Sequence, residues 1–270
     1  MTILLIWIAV FFLTAFSGVV FADAIEPVSG TLLTSDNIPI SYDYYKRGFD
    51  SVVIVCPGFF NSKESRWMRK TVDILSTEFD VIIFDFRGHG KSGGVYTWSA
   101  KENFDVDAVV NYAASLGYKK IGVLAFSLGA SAAINEVATR SDVSSMVLIS
   151  CPSKFSAIDY HFWEPGMWAD LRDNINCKWK GKGARVGSIL LPKSDPIDII
   201  GNIKNTAMLF IHGDKDWVIK SRHSKMLYDK AGAYKGIEII KGGFHAERLI
   251  EFHYARMSSL ILGWFSKTLR

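Results

Sequence analysis

Short apolar runs that alternate with longer amphipathic stretches constrain this chain more than any other feature. Runs of four to six residues rich in Val, Ile and Leu are typical of strands buried on both faces, and helical periodicity occupies the stretches between them. The predicted strands cover residues 52–56, 81–85, 121–125, 145–150, 207–212 and 237–240, and the predicted helices cover 63–78, 101–116, 128–140 and 247–269. Such alternation predicts a mostly parallel sheet with helices on both faces and right-handed crossovers.

Two further strands are expected before this alternation begins. Residues 30–35 and 38–45 are joined at Asp36-Asn37, which predicts a hairpin. The fold class is therefore α/β, with a doubly wound, mostly parallel sheet of about eight strands. Residues 152–200 break the alternation and are rich in Trp, Phe, Gly and Lys, so we interpret them as a short cap insertion within a domain that covers residues 25–270.

The N-terminal segment, residues 1–24, is hydrophobic. Residues 1–22 have no charged side chain, and the run ILLIWIAVFFLTAF predicts contact with a membrane through residues 3–22. An uncleaved signal anchor followed by the acidic Asp23 and Glu26 would place the domain on the non-cytosolic side of a membrane. Cleavage as a signal peptide at Ala22-Asp23-Ala24 would instead give a secreted or periplasmic protein.

Charge and cysteine usage exclude several classes of function. The formal net charge is +4, but the basic residues are scattered apart from one cluster, Lys178, Lys180, Lys182 and Arg185. We interpret this cluster as a solvated loop, so no nucleic-acid partner is expected. Cys56, Cys151 and Cys177 lack metal-ligand spacing and are expected to be buried thiols, with a Cys151–Cys177 disulfide as the alternative in an oxidising compartment. No metal and no cofactor is predicted.

A serine lies between a predicted strand and a predicted helix in the segment IGVLAFSLGA, residues 121–130. Ser127 has small neighbours two residues away on each side, Ala125 and Gly129, as a nucleophile in a sharp strand-to-helix turn requires. This A-x-S-x-G pattern alone is equally compatible with a helix N-cap.

A histidine and an acid follow later strands and complete a candidate catalytic triad. A serine hydroxyl needs a base to take its proton and a third group to orient that base. Asp216 follows the strand 207–212 and His245 follows the strand 237–240, so both are expected at the same sheet edge as Ser127. Asp214 is the rival for the acid, whereas His212 is expected to be structural.

Other polar residues are predicted to have local roles. His89 is expected to shape a Gly-rich turn, and Asp85 and Arg87 are expected to fix the loop after their strand by hydrogen bonding. Asp105 and Asp107 are expected on a solvated helix face.

Five sequence pieces in a fixed order resemble the α/β-hydrolase fold family. They are PGF at 57–59, DFRGHGKS at 85–92, AFSLG at 125–129, HGDKD at 212–216 and GGFH at 242–245. The pieces look closest to serine hydrolases of the monoglyceride-lipase and serine-aminopeptidase (S33-like) group. The resemblance implies Ser127 as nucleophile, His245 as general base and then acid, and Asp216 as the orienting carboxylate.

The chain departs from the family pattern at two places. Ala125 replaces the first glycine of the serine turn, and Pro57-Gly58 replaces the usual His-Gly after the third strand. Backbone N–H groups rather than side chains form an oxyanion hole, so the N–H groups of Phe59 and Leu128 are still expected to fill that role.

The expected reaction is cleavage of a carboxylic ester through an acyl-enzyme. Residues expected to contact a small-molecule ester or acyl substrate are Phe60, Phe155, Phe162, Trp163 and Trp217. Aromatic side chains at the density found in the cap more often form a local mini-core. The same triad leaves a peptidase or amidase and an acyltransferase open, and the fold leaves a non-catalytic binding protein open. The sequence does not define the oligomeric state.

Overall fold

Eight strands form one sheet in the part of the chain that the structure, a computed structural model, describes: residues 26–158, 183–232 and 234–269. The strand order is β1-β2-β4-β3-β5-β6-β7-β8. The strands are β1 (Val28–Leu33), β2 (Pro39–Tyr45), β3 (Ser51–Cys56), β4 (Asp80–Phe84), β5 (Lys120–Phe126), β6 (Val143–Ile149), β7 (Ala207–Gly213) and β8 (Lys235–Ile240). β1 and β2 form the predicted hairpin, β2 also pairs with β4 in antiparallel orientation, and β3 to β8 are mutually parallel. The predicted fold class is confirmed.

The central strands are buried on both faces because helices cover each side of the sheet. In β3 every residue is buried, and successive side chains point to opposite faces: Val52 and Ile54 join one apolar cluster, and Val53 and Val55 join the other. The helices are α1 (Arg66–Leu75), α2 (Asn103–Ser115), α3 (Ser127–Val137), α4 (Pro196–Ile199), α5 (Arg222–Lys230), α6 (Arg248–Phe252) and α7 (Tyr254–Thr268). Helices α2, α3 and α5 contribute to the first cluster, and α1, α6 and α7 contribute to the second.

Two helical predictions differ from the structure. The closing helix expected over 247–269 is interrupted at His253, whose φ of −130° and ψ of 36° are not helical, so α6 and α7 are separate. Helix α5 was not predicted, because its sequence RHSKMLYDK is mostly polar and buries only His223, Ser224 and Leu227.

Asp105 corrects one prediction about exposed charge. It is fully buried rather than solvated, and it accepts hydrogen bonds from the backbone N–H and the Nε–H of Arg87 at 2.9 and 2.8 Å. Arg87 also binds Asp36 at the tip of the β1–β2 hairpin, and this hydrogen bond lowers the pKa of Asp36 to about 2. Arg87 thus connects the hairpin to α2, whereas the sequence predicted only hydrogen bonds within its own loop.

The predicted membrane-associated location is corrected. Within the described ranges, no helix is long and apolar enough to cross a bilayer. The expectation depended on residues 1–24, which lie outside the described residues. The secreted or periplasmic alternative depended on the same segment.

The cap insertion is described only at its two ends, because residues 159–182 lie outside the described ranges. Its returning end contacts the loop after β4 through isolated bridges of Ala184 with His89 and of Val186 with Tyr96. Cys56 and Cys151 are buried free thiols whose pKa values are raised by burial. Cys177, the partner considered for Cys151, is not among the described residues.

Candidate active site

Ser127 lies in a sharp turn between β5 and α3. Its φ of 50° is in the left-handed region, which is costly for a residue with a side chain. Gly129 allows the turn to approach β3, since a Cβ at this position would lie 2.2 Å from the Pro57 carbonyl oxygen. The small residue that the sequence pattern requires after the serine therefore has a direct steric reason.

The three predicted triad residues are brought together although 118 positions separate Ser127 from His245. His245 Nε2 lies 3.0 Å from Ser127 Oγ, and His245 Nδ1 lies 2.7 Å from Asp216 Oδ2. Because a carboxylate only accepts hydrogen bonds, Nδ1 bears the hydrogen and Nε2 faces the serine hydroxyl as the acceptor. This geometry allows His245 to take the Ser127 proton.

Asp216 is fully buried and held by several donors. Its Oδ1 accepts the backbone N–H groups of Val218 and Ile219 at 2.9 and 2.8 Å, while its Oδ2 faces His245. Burial opposes ionisation, but the charge of His245 and hydrogen bonds from His212 and His245 outweigh it, so the pKa of Asp216 lies well below its ordinary value. The carboxylate is therefore available to orient His245.

Close backbone packing positions the loops that present Asp216 and His245. A Cβ on Gly213 would lie 2.2 Å from the Gly243 carbonyl oxygen, so the loops after β7 and β8 touch. The backbone N–H of Ala246, next to His245, donates to the Ser150 hydroxyl at the end of β6 at 3.0 Å. These contacts fix the histidine loop against two neighbouring strand ends.

The loop after β3 packs against the serine turn, where an oxyanion hole is expected. A Cβ on Gly58 would lie 3.4 Å from Ser127 Cβ. The next turn is held by Phe60, whose φ is 68° and whose N–H donates to His89 Nε2 at 3.2 Å. Burial lowers the pKa of His89 to about 4, so its neutral ring can accept this bond. His89 thus shapes the loop before the serine turn as well as its own turn.

A second serine–histidine contact occurs at the base of the cap. Ser153 Oγ lies 2.9 Å from His223 Nδ1, and His223 Nε2 lies 3.0 Å from the Ala157 carbonyl oxygen. Both side chains are fully buried, and the ring connects α5 to the first residues of the cap. This pair fits a structural role better than a catalytic one, because a nucleophile must be reached by a substrate.

Comparison with known proteins agrees with this architecture. A family model described as alpha/beta hydrolase fold matches residues 51–165. The chain has the α/β-hydrolase fold. The uncharacterized protein YqkD of Bacillus subtilis is 26% identical over 245 residues, covering 83% of this chain and 76% of YqkD.

Solved structures with the same α/β-hydrolase fold include two esterases. The Pyrococcus furiosus esterase Pf2001 has a TM-score of 0.73 at 22% identity and covers 91% of this chain and 94% of its own. Esterase RhEst1 from Rhodococcus sp. has a TM-score of 0.73 at 16% identity and covers 89% of this chain and 99% of its own.

The rival acid, Asp214, has a different environment from Asp216 in this fold. Asp214 is exposed, and its Oδ1 accepts the Gly242 N–H at 2.7 Å. His212 is fully buried, as expected of a structural histidine, but its Nε2 also lies 3.1 Å from Asp216 Oδ2. That contact was not anticipated from the sequence.

The predicted substrate-contacting residues are only partly described. Phe60 is 42% exposed and packs on Phe59 with ring centroids 4.2 Å apart, whereas Phe155 and Trp217 are half-buried. Phe162 and Trp163 lie outside the described residues. The role of these side chains in substrate binding stays a prediction.

Sequence reasoning missed an aromatic side chain beside the expected oxyanion loop. The Trp98 ring lies 4.9 Å from the Phe59 ring, and both Trp98 and Ser99 have left-handed backbone conformations. The Ser99 hydroxyl donates to the Leu128 carbonyl oxygen at 3.3 Å, next to Ser127. No periodic pattern or motif in the sequence marks this loop. In the described part of the chain, no group of three or more His, Cys, Asp or Glu residues is arranged to hold a metal ion.

Proposed function

We propose that this chain is a serine hydrolase that cleaves a carboxylic ester through an acyl-enzyme on Ser127. The observation that supports it most is the hydrogen-bond chain from Ser127 Oγ to His245 Nε2 at 3.0 Å and from His245 Nδ1 to Asp216 Oδ2 at 2.7 Å. The left-handed Ser127 in the strand-to-helix turn is a second, independent support. A binding protein would need neither feature.

In the proposed reaction, His245 takes the hydroxyl proton of Ser127 as its oxygen attacks the ester carbonyl carbon. The N–H groups of Phe59 and Leu128 then stabilise the oxyanion, and the packing of Gly58 against Ser127 supports this assignment. His245 returns the proton to the leaving alcohol. A water molecule, deprotonated by His245, attacks the acyl carbon and releases the acid.

The solved neighbours favour an ester over an amide as the substrate. Pf2001, RhEst1 and a protein from Exiguobacterium antarcticum with a TM-score of 0.67 are all described as esterases. At identities of 22%, 16% and 15%, these neighbours support the reaction class and not a particular substrate. Membership of the monoglyceride-lipase and serine-aminopeptidase group is part of the same proposal.

A fluorophosphonate probe tests the nucleophile directly. We expect the wild type to be labelled and Ser127→Ala to remain unlabelled, because the probe reacts with an activated serine. Ser153→Ala is the matched control: its hydroxyl contacts another histidine, so labelling should persist. An unlabelled wild type would refute the serine hydrolase.

Substrate preference is measured on the same proteins. Esters with short, medium and long acyl chains are compared with matched amides and peptides, with and without an added alcohol acceptor. Hydrolysis of esters without measurable hydrolysis of the matched amides and peptides supports the esterase. Transfer of the acyl group to the acceptor in preference to water would identify an acyltransferase instead.

A further inference from the structure

We propose that His212 is a positioning residue for the acid of the triad and that it lowers the pH at which His245 becomes a free base. The inference depends on the proposed function of Asp216 and His245. It gives His212 a role in the pH dependence of the reaction, beyond fixing the backbone at the end of β7.

The contacts of His212 determine which ring nitrogen bears hydrogen. His212 Nε2 lies 3.1 Å from Asp216 Oδ2 and 2.7 Å from the Ile219 carbonyl oxygen. Both partners only accept hydrogen bonds, so Nε2 must be the donor. In the neutral ring, Nδ1 then accepts the hydroxyl hydrogen of Ser224, whose Oγ is 2.7 Å away. Ser224 therefore selects the tautomer whose Nε2–H is shared between the Ile219 carbonyl oxygen and Asp216 Oδ2.

Asp216 Oδ2 is consequently shared by two imidazole rings. The His245 Nδ1–H donates at 2.7 Å, and the single Nε2–H of His212, shared with the nearer Ile219 carbonyl oxygen, lies on the other side, with Nε2 3.1 Å from Oδ2. Oδ1 binds the two backbone N–H groups of Val218 and Ile219. Donors on all sides leave the carboxylate one orientation. The second imidazole donor also withdraws negative charge from the oxygen that faces His245, so the protonated form of His245 is stabilised less.

The other ionisable groups on the surrounding elements have contacts elsewhere. The Asp214 carboxylate binds the Gly242 N–H, the His223 ring binds Ser153 and Ala157, and Glu247 Oε1 accepts from Asn61 Nδ2 at 2.8 Å. The cations of the same region, Lys215, Lys220 and Arg222, are exposed or half-buried, whereas His212 and Asp216 are fully buried. Among the described side chains, His212 is thus a buried neighbour of Asp216 whose removal acts directly on the Asp216–His245 hydrogen bond.

The test is the pH dependence of kcat/KM on the best ester, with the rate of fluorophosphonate labelling as a second readout. In this profile kcat/KM rises on the acidic side as His245 loses its proton, and this rise is called the acidic limb. Replacing His212 by Leu removes the donor, and we expect the acidic limb to move to higher pH by about 0.5 to 1 unit. His212→Gln keeps a side-chain N–H at the position of Nε2 and should restore the wild-type limb. Ser224→Ala removes the hydroxyl that selects the His212 tautomer, with little loss of packing. It should move the acidic limb in the same direction.

The matched control is His223→Leu. His223 is another fully buried histidine, but its nitrogens bind the cap base, so this change should leave the limb in place. Unshifted limbs in both His212→Leu and Ser224→Ala would overturn the inference, as would an equal shift in His223→Leu. If His212→Leu does not fold, Ser224→Ala decides. A wild type that is neither labelled nor active refutes the proposed function itself, which distinguishes the two failures.

Discussion

At the scale of single residues, the site depends on a few backbone conformations and hydrogen bonds that oppose local preference. A left-handed residue with a side chain costs about 1–3 kcal/mol, and Ser127 adopts this conformation at φ 50°. Packing of Gly129 and Gly58 against their neighbours holds the turn. Asp216 similarly bears its charge in a fully buried position because His245, His212 and two backbone N–H groups bind it.

The two aspartates of HGDKD provide a prediction at this scale. Asp216→Asn should lower kcat by about 10³- to 10⁴-fold, because an amide can donate to Nδ1 and favour the wrong tautomer of His245. Asp214→Asn is the control, since Asp214 is exposed and binds only the loop backbone in the described contacts. Steady-state kinetics and far-UV circular dichroism of both variants measure the effect. Comparable losses in the two variants would contradict the assignment of the acid.

At the scale of elements, helix α3 and the loop after β3 meet closely at the serine. The loop was predicted from PGF and the helix from its small residues, but their contact depends on the parallel pairing of β3 with β5. That pairing brings the carboxyl ends of both strands to one edge. The loop of Trp98 and Ser99 meets the same helix through Leu128, which the chain order did not reveal.

Gly129→Ala tests this contact. In an exposed helix interior the change would stabilise by about 0.5–1 kcal/mol, but here the new Cβ would lie 2.2 Å from the Pro57 carbonyl oxygen. We expect the steric clash to dominate, with a lower midpoint of unfolding and a fall in kcat/KM of at least about tenfold as the oxyanion loop is displaced.

Gly263→Ala is the matched control for that substitution. It lies in α7, where an added Cβ meets no atom within 4 Å. Its activity should be unchanged and its stability equal or higher. Full activity in Gly129→Ala would show that the loop does not depend on this contact.

At the scale of the whole molecule, two apolar layers hold the sheet that positions all three triad residues. The layer containing α1, α6 and α7 includes Phe265, which is fully buried and packs edge-on against Phe79 at 5.9 Å. Since α7 lies on the face of the sheet and away from the triad contacts, this layer affects stability more than chemistry.

Phe265→Ala should therefore destabilise the fold by about 3–5 kcal/mol, the usual cost of a large cavity in a core. Leu190→Ala, at a side chain that is 88% exposed, should change the free energy of unfolding by less than about 0.5 kcal/mol. Urea denaturation measures both. The folded fraction of Phe265→Ala should retain its kcat, and a small change in stability would show that α7 is not part of the core.

The sheet and its hairpin could be predicted from the sequence, and so could the positions of the proposed triad, because alternation, turn residues and motif order are local signals. The sequence analysis missed α5, which has few apolar residues, and it misjudged Asp105, whose partner Arg87 is 18 residues away. The contact of His212 with Asp216 and that of His89 with Phe60 were visible in the folded chain alone. Such contacts arise from strand pairing and loop packing, and a single residue's type does not encode which neighbour its polar atoms will meet.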